Sequence, residues 1–144
     1  MIAVDTNILV YSHRIESQWH NTAKPCVAVL AMGRARWAIP WPCIHEFLGI
    51  VTHPRIYTVP TPMALALEQA QAWSQSPSVS IIGETGVHLE TLSAVVGAAK
   101  LVGPKIHDAK IAAICLQHGV SELWTADRDF SRFPALKTRN PLIA

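Results

Sequence analysis

The sequence predicts a three-layer α/β/α protein, in which helices cover both faces of a central parallel sheet of about 4–5 strands. Short apolar runs, typical of buried strands, alternate along the chain with longer stretches that carry the helical period. Half of the 144 residues are hydrophobic and only 15% are charged, which allows a well-buried core. No internal repeat, low-complexity segment or linker divides the chain, so we expect residues 1–144 to form a single domain.

The predicted strands are short and apolar, as parallel strands that are buried on both faces usually are. The first covers Met1–Val4, and Asp5, Thr6 and Asn7 follow it in what we expect to be the loop at its end. The other strands are predicted over Trp37–Ile39, Val79–Ile82, Val120–Thr125 and, for a fifth, near Leu136–Arg139. Strands that alternate with helices favour a parallel sheet with helices on both faces.

The predicted helices follow from apolar spacing and from end signals. One is predicted over Trp19–Met32, with Ala23, Val27 and Leu30 on the face that turns to the core. Four more are predicted over Cys43–Val51 after Pro42, Met63–Gln75 after Thr61-Pro62, Thr85–Lys100, and Ile106–His118 with Gly119 at its end.

Composition limits the functional classes only loosely. The net charge of +2 is not the strongly basic balance of a dedicated nucleic-acid binder. Cys26, Cys43 and Cys115 lie far apart, which indicates free thiols and a reducing cytoplasm. We expect no signal peptide and no membrane span, because no apolar run approaches the necessary length.

Half of the ten acidic residues map to one edge of the predicted sheet, where parallel α/β proteins bind their ligands. Asp5 follows the first strand, and Asp127 and Asp129 follow the fourth. Glu46 lies one turn into the helix after the second strand, and Asp108 lies in the first turn of the last long helix. The remaining acids are placed on the solvated surface: Glu16, Glu68, Glu84, Glu90 and Glu122.

Two of these acids also have a simpler structural explanation. Asp108 suits the first turn of a helix because it complements the helix dipole. Glu46 could equally be a surface residue. However, Ala109 and Ala112 beside Asp108 allow its helix to approach the sheet closely, which would bring the carboxylate near the strand ends.

Gathered carboxylates repel one another, by roughly 4 kcal/mol for two charges about 4 Å apart at an effective dielectric constant near 20. Such a cluster takes up protons or binds a cation. Ligands that are all oxygen select hard ions such as Mg²⁺ or Mn²⁺. A divalent ion in this position is suited to the hydrolysis of a phosphodiester.

These residues resemble those of the PIN-domain nucleases, and more narrowly the VapC-type toxins of bacterial toxin–antitoxin pairs. The resemblance covers the whole chain in order and spacing. It is carried by Asp5-Thr6-Asn7, Glu46, His107-Asp108-Ala109 and the segment from Thr125 to Phe130. The segment His53–Pro60, with its prolines and aromatic residues, is the one mild departure.

The resemblance implies a Mg²⁺- or Mn²⁺-dependent endoribonuclease with an RNA substrate. Asp5 and Asp108 would be the principal metal ligands, Glu46 and Asp127 would complete an acidic quartet, and Asp129 would be auxiliary. The residues implied to support these carboxylates by hydrogen bonds are Thr6, Asn7 and Thr125.

The resemblance also implies a homodimer and a cognate antitoxin that covers the site. Trp19, Trp41 and Phe47 are candidates for exposed apolar contacts with that partner. Among the basic residues that could hold flanking RNA phosphates we favour Lys110 and Arg128, because they adjoin the acids. Arg14, Lys105 and Arg132 are the other candidates, and all five could instead be solvated surface charges.

Two alternatives remain. A haloacid-dehalogenase-like phosphatase also has an aspartate after its first strand, but it needs a second aspartate where this chain has Asn7. A non-catalytic PIN-like module that binds RNA or protein would be expected to lack an essential acid, and none is missing here.

Overall fold

The structure, a computed structural model that describes residues 1–144, contains one five-stranded sheet with all strands parallel. Its strands are β1 (Ile2–Val4), β2 (Trp37–Pro40), β3 (Val79–Ile82), β4 (Glu122–Trp124) and β5 (Thr138–Arg139). They lie in the order β3-β2-β1-β4-β5. The chain therefore enters the sheet at its centre, and β1 has β2 on one side and β4 on the other.

Six α-helices flank the sheet, which confirms the predicted three-layer α/β/α class. They are α1 (Thr6–His13), α2 (His20–Met32), α3 (Trp41–Val51), α4 (Met63–Ser74), α5 (His88–Ala99) and α6 (Ile106–Gln117). The 3₁₀ turn Gly103–Lys105 immediately precedes α6. A second 3₁₀ turn, Arg128–Arg132, follows β4. Helix α1 packs against α2 and α3, and α3 packs against α4. Helices α5 and α6 pack against each other.

The helix α1 was not predicted, because the residues after Asp5 were expected to form a loop. Its sequence is rich in β-branched residues, which have modest helix propensity. Packing stabilises the helix instead, since Ile8 and Leu9 are fully buried. Asp5 caps it, with its Oδ1 accepting a hydrogen bond from the backbone N–H of Thr6 at 2.8 Å.

The predicted end of α6 is confirmed. Gly119 has a φ of +67°, a conformation that favours glycine. Its N–H donates to the carbonyl of Leu116, and the N–H of Val120 donates to the carbonyl of Cys115 at 3.0 Å. This is the Schellman pattern of helix ends, and it draws Val120 out of the predicted strand, so that β4 begins at Glu122.

The other element bounds differ from the predictions by a few residues at most. The largest difference is at α5, which begins at His88 and not at Thr85. Thr85 is held instead by Gln117, whose Oε1 accepts hydrogen bonds from the Thr85 backbone N–H and hydroxyl, both at 3.1 Å.

The core corrects the placement of Phe47, which was expected among the exposed apolar residues. Phe47 is fully buried, with its ring edge-on to those of His13 at 5.3 Å and Trp73 at 4.8 Å. It continues the buried face of α3 that begins at Cys43. Trp41 is 48% exposed, as expected, and Trp19 is half-buried.

Two further features concern the chemistry of the chain. All three cysteines are free, with Cys43 and Cys115 buried and Cys26 half-buried. None of the helices has the length and apolar character that crossing a membrane requires.

Glu122 corrects the expectation that it is a solvated surface acid. Its side chain is only 14% exposed. It accepts a hydrogen bond from Trp124 Nε1 at 3.0 Å and pairs with Lys137 Nζ at 3.3 Å. Glu122 begins β4, so this ion pair lies at the end of the strand opposite to Thr125.

Candidate active site

The sheet order brings the ends of β1 and β4 together. The N–H of Asp5 donates to the carbonyl of Trp124 at 2.9 Å, so Asp5 and Thr125 leave neighbouring strands side by side. Asp127 and Asp129 follow Thr125 along the chain. Asp108 reaches the same edge from the first turn of α6, and Glu46 reaches it from α3.

Asp5 is buried and accepts hydrogen bonds on both carboxylate oxygens. Oδ1 accepts from the backbone N–H of Thr6 and from Cys43 Sγ at 3.5 Å. Oδ2 accepts from Thr125 Oγ1 at 2.7 Å and from Asn7 Nδ2 at 3.2 Å. Burial raises the pKa of Asp5 to about 6, because the loss of hydration outweighs the hydrogen bonds to Thr125 and Thr6 that favour the ionised form.

The predicted supporting residues connect the acids to one another. Thr6 Oγ1 donates to Glu46 Oε2 at 3.1 Å and so links α1 to α3. Thr125 Oγ1 accepts from the backbone N–H of Asp127 at 3.0 Å. Asn7 Oδ1 accepts from the N–H of Ala126 at 3.0 Å, which fixes the backbone that leads to Asp127. The three side chains thus orient the carboxylates on both sides of the site.

Asp108, Asp127 and Asp129 form the most compact group of acids. Each offers one carboxylate oxygen, and the three oxygens lie within 4.8 Å of one another. Asp127 Oδ1 also caps the following 3₁₀ turn by accepting from the N–H of Asp129 at 2.8 Å. Burial, followed by repulsion from Asp127, raises the pKa of Asp108.

Glu46 joins the two parts of the site electrostatically. Its negative charge adds to the burial that raises the pKa of Asp5, and it adds to the causes that raise the pKa of Asp108. The five predicted acids therefore form one electrostatic unit. Asp5 and Glu46 lie on one side, linked through Thr6, and the group of three aspartates lies on the other.

The basic residue that contacts this unit is Lys105, not either of the two that the sequence favoured. Lys105 Nζ forms an ion pair with Asp129 Oδ2. Arg128 is exposed and Lys110 is half-buried, and neither forms a hydrogen bond or an ion pair with the acids. The signal for Lys105 was its place three residues before Asp108, one helical turn away.

Sequence reasoning missed Cys43, whose thiol donates a hydrogen bond to Asp5. Cys43 precedes Glu46 by three residues on the same helix, so the two side chains lie on neighbouring parts of one face. That spacing was a usable signal, but the thiol was interpreted only as an apolar core group.

The donors fit a small, hard divalent ion. Three carboxylate oxygens within 4.8 Å of one another are close to the separations of at most about 4.2 Å that oxygens bound at about 2.1 Å to one Mg²⁺ ion have. Asp5 lies outside this group, and four donors contact its oxygens. That Asp5 and Asp108 are the principal ligands stays a prediction.

The family model described as PIN domain matches residues 2–136, and the parallel α/β/α fold with acids gathered beyond the carboxyl ends of its strands agrees with that match. The chain therefore belongs to the PIN-domain family, within its VapC-type branch. Ribonuclease VapC48 of Mycobacterium tuberculosis is 28% identical over 137 residues, which cover 95% of this chain and 94% of that protein. VapC ribonuclease Mb2897 of Mycobacterium bovis is 30% identical over 142 residues, which cover 99% and 96%. The resemblance stated from the sequence is confirmed.

Solved structures show the same fold at lower identity. VapBC2 from Rickettsia felis, in a crystal structure with a DNA fragment from its promoter, matches with a TM-score of 0.70 and 18% identity, over 97% of this chain and 98% of that chain. FitAcB from Neisseria gonorrhoeae matches with a TM-score of 0.69 and 17% identity over the whole of both chains. The family match argues against the haloacid-dehalogenase-like alternative.

Proposed function

We propose that this protein is an endoribonuclease that depends on Mg²⁺ or Mn²⁺ and acts as the toxin of a toxin–antitoxin pair. The observation that carries the proposal is the group of three carboxylate oxygens, from Asp108, Asp127 and Asp129, within 4.8 Å of one another. The names of the relatives support it, since they are ribonucleases of the VapC type.

In this proposal the group of Asp108, Asp127 and Asp129 holds the ion, and Asp5 and Glu46 complete the site. The proposal thus gives Asp129 a larger part than the auxiliary one that the resemblance implied. The bound ion supplies a Lewis acid that activates water and offsets the charge of the phosphate that is cleaved. A bound cation would offset the repulsion among the five like-charged carboxylates, and this gain favours the binding of a cation at this position.

The remaining residues of the site hold these carboxylates in place. Thr125 and Asn7 fix the Asp5 carboxylate and the backbone before Asp127, and Thr6 fixes Glu46. With a pKa of about 6, Asp5 is mostly ionised at pH 7 and can serve as a ligand or accept a hydrogen bond. Lys110 and Arg128 lie near the acids in sequence and are proposed to contact flanking RNA phosphates.

We further propose a cognate antitoxin as the partner, a homodimer as the assembly, a single domain over residues 1–144 and a cytoplasmic location. The similar structures from R. felis and, at 22% identity and a TM-score of 0.64, the toxin–antitoxin complex from Klebsiella pneumoniae support an antitoxin. The exposed ring of Trp41 is a candidate contact for it.

The test is cleavage of total cellular RNA by the purified protein with Mg²⁺, with Mn²⁺ and with EDTA. We expect a small number of discrete fragments with either ion and none with EDTA, and mapping of the fragment ends identifies the target. Absence of cleavage with both ions, in a protein that is folded by circular dichroism, would favour the non-catalytic binding module instead.

A further inference from the structure

Lys105 occupies an unusual place beside the acids. It is the last residue of the 3₁₀ turn Gly103–Lys105 and immediately precedes α6, which carries Asp108 in its first turn. Its Nζ contacts Oδ2 of Asp129, one of the three aspartates that are grouped within 4.8 Å. An ammonium group of the chain itself is therefore bonded to one of the proposed metal ligands.

The charges around this contact act on both partners. The hydrogen bond from Lys105 lowers the pKa of Asp129, and the same bond, together with the charge of Asp108, raises the pKa of Lys105. Of the three ion pairs in the structure, this is the one that involves the acidic site. Lys105 thus offsets part of the repulsion among the acids in the absence of metal.

A divalent ion among these aspartates competes with that ammonium group. Nζ and the ion carry like charge and need the same carboxylate, and the ion repels Nζ over these few ångströms even when it binds the other oxygen of Asp129. The Lys105 side chain is 43% exposed and has a flexible stem, so it can move into solvent without disturbing the core.

We propose that Lys105 is an internal counter-ion of the acidic site, which competes with the divalent ion for Asp129 and leaves that carboxylate when the ion binds. The inference rests on the proposed function of the same site. In this role Lys105 limits the metal affinity of the free protein. The ammonium group of Lys105 then stabilises the acidic site in the absence of metal, and it weakens the binding of the metal ion.

The test compares Mn²⁺ binding by isothermal titration calorimetry at one pH and one ionic strength. Lys105→Met removes the charge and keeps the length of the stem, and we expect it to bind Mn²⁺ more tightly, on the order of tenfold. Lys105→Arg keeps a cation at the position and is expected to stay within about twofold to threefold of the original chain.

Lys137→Met is the matched control. It also removes one positive charge and one lysine–carboxylate pair, but that pair joins Glu122 at the opposite end of β4. Its Mn²⁺ affinity is expected to match that of the original chain. The melting temperature of Lys105→Met in EDTA is expected to fall relative to this control, because repulsion among the acids is no longer offset.

The outcomes separate the two proposals. Mn²⁺ binding to Lys105→Met that equals the control, or is weaker, overturns the counter-ion role, and weaker binding would mean that Lys105 orients Asp129 for the ion. If the original chain binds Mn²⁺ and Asp108→Asn does not, the metal site stands whatever Lys105 does. If the original chain binds no Mn²⁺, both proposals fall.

Discussion

Among single residues, Asp5 carries the strongest conflict between burial and charge. Asp5 is 3% exposed, and its carboxylate accepts four hydrogen bonds, from one backbone N–H and three side chains. The hydrogen bonds orient the group, whereas burial still penalises its charge and raises its pKa. The hydrogen bonds thus fix the position of the Asp5 carboxylate, and a nearby cation would stabilise its ionised form.

This conflict makes the stability of the metal-free protein depend on pH. The folded pKa of Asp5, about 6, exceeds its ordinary value of 3.8, so between these values the folded state binds the extra proton. The Asp5 contribution to the free energy of unfolding is complete below pH 4 and is lost as the pH rises through 6, with a total of about 3 kcal/mol at most.

We therefore expect Asp5→Asn to remove this dependence. Denaturant unfolding in EDTA should show the original chain losing stability between pH 4 and pH 7 relative to the variant, while the variant keeps the same fold by circular dichroism. Parallel pH profiles for the two proteins would mean that Asp5 is not the titrating group.

At the residue scale the sequence identified the acids but not all of their partners. Asp5, Asp108 and Asp127 were placed correctly at one edge because strand ends and helix starts are marked by short-range patterns. The contact between Cys43 and Asp5, and that between Lys105 and Asp129, depend on side-chain directions. Those directions follow from the packing of α3 and α6, which a linear pattern does not contain.

Among the elements, α1 is the one that local propensity failed to indicate. It is eight residues long, and its burial stabilises it more than its composition does. The Asp5 side chain was a capping signal that could have indicated it. The longer helices α2, α4 and α6 were predicted to within a residue or two at each end, because their apolar spacing persists over three turns.

The hydrogen bond from Thr6 to Glu46 couples α1 to α3, and Thr6→Val tests that coupling. Valine keeps the shape of threonine but cannot donate to Glu46, so we expect a loss of RNA-cleavage rate on the order of 10- to 100-fold. The fold should persist, with about 1 kcal/mol less stability in denaturant unfolding. Thr6→Ser restores the donor and should recover most of the rate; failure of serine to do so would contradict the role of this bond.

The C-terminal end of α5 offers a prediction about stability alone. Lys100 ends the helix with a φ of 54°, in the left-handed region that penalises every residue except glycine. Lys100→Gly is expected to raise the free energy of unfolding by about 0.5–1 kcal/mol. Lys100→Ala removes the same side chain without relieving the backbone, so a glycine variant no more stable than the alanine variant would refute the explanation.

At the scale of the whole molecule, the fold class followed from the alternation of strands and helices, but the strand order did not. The order β3-β2-β1-β4-β5 depends on which strands the long connections bring together. It is this order that places Asp5 beside Thr125, which is 120 positions away in the chain. The alternation of strands and helices along the chain predicts the layers, and the crossover connections bring the site residues together.

We propose that acids from separate elements act together as the site of a metal-dependent nuclease. The most direct test is the single-turnover cleavage rate of one RNA with a mapped site, in Mg²⁺, for the original chain, Asp108→Asn and Glu90→Gln. Asp108 and Glu90 both lie in the first turn of a helix, but Glu90 is on the exposed surface of α5.

We predict a loss of at least about 100-fold for Asp108→Asn, since it removes a proposed ligand of the ion, and an unchanged rate for Glu90→Gln. Equal rates for Asp108→Asn and the original chain would contradict the account, because cleavage would then not require the acidic group.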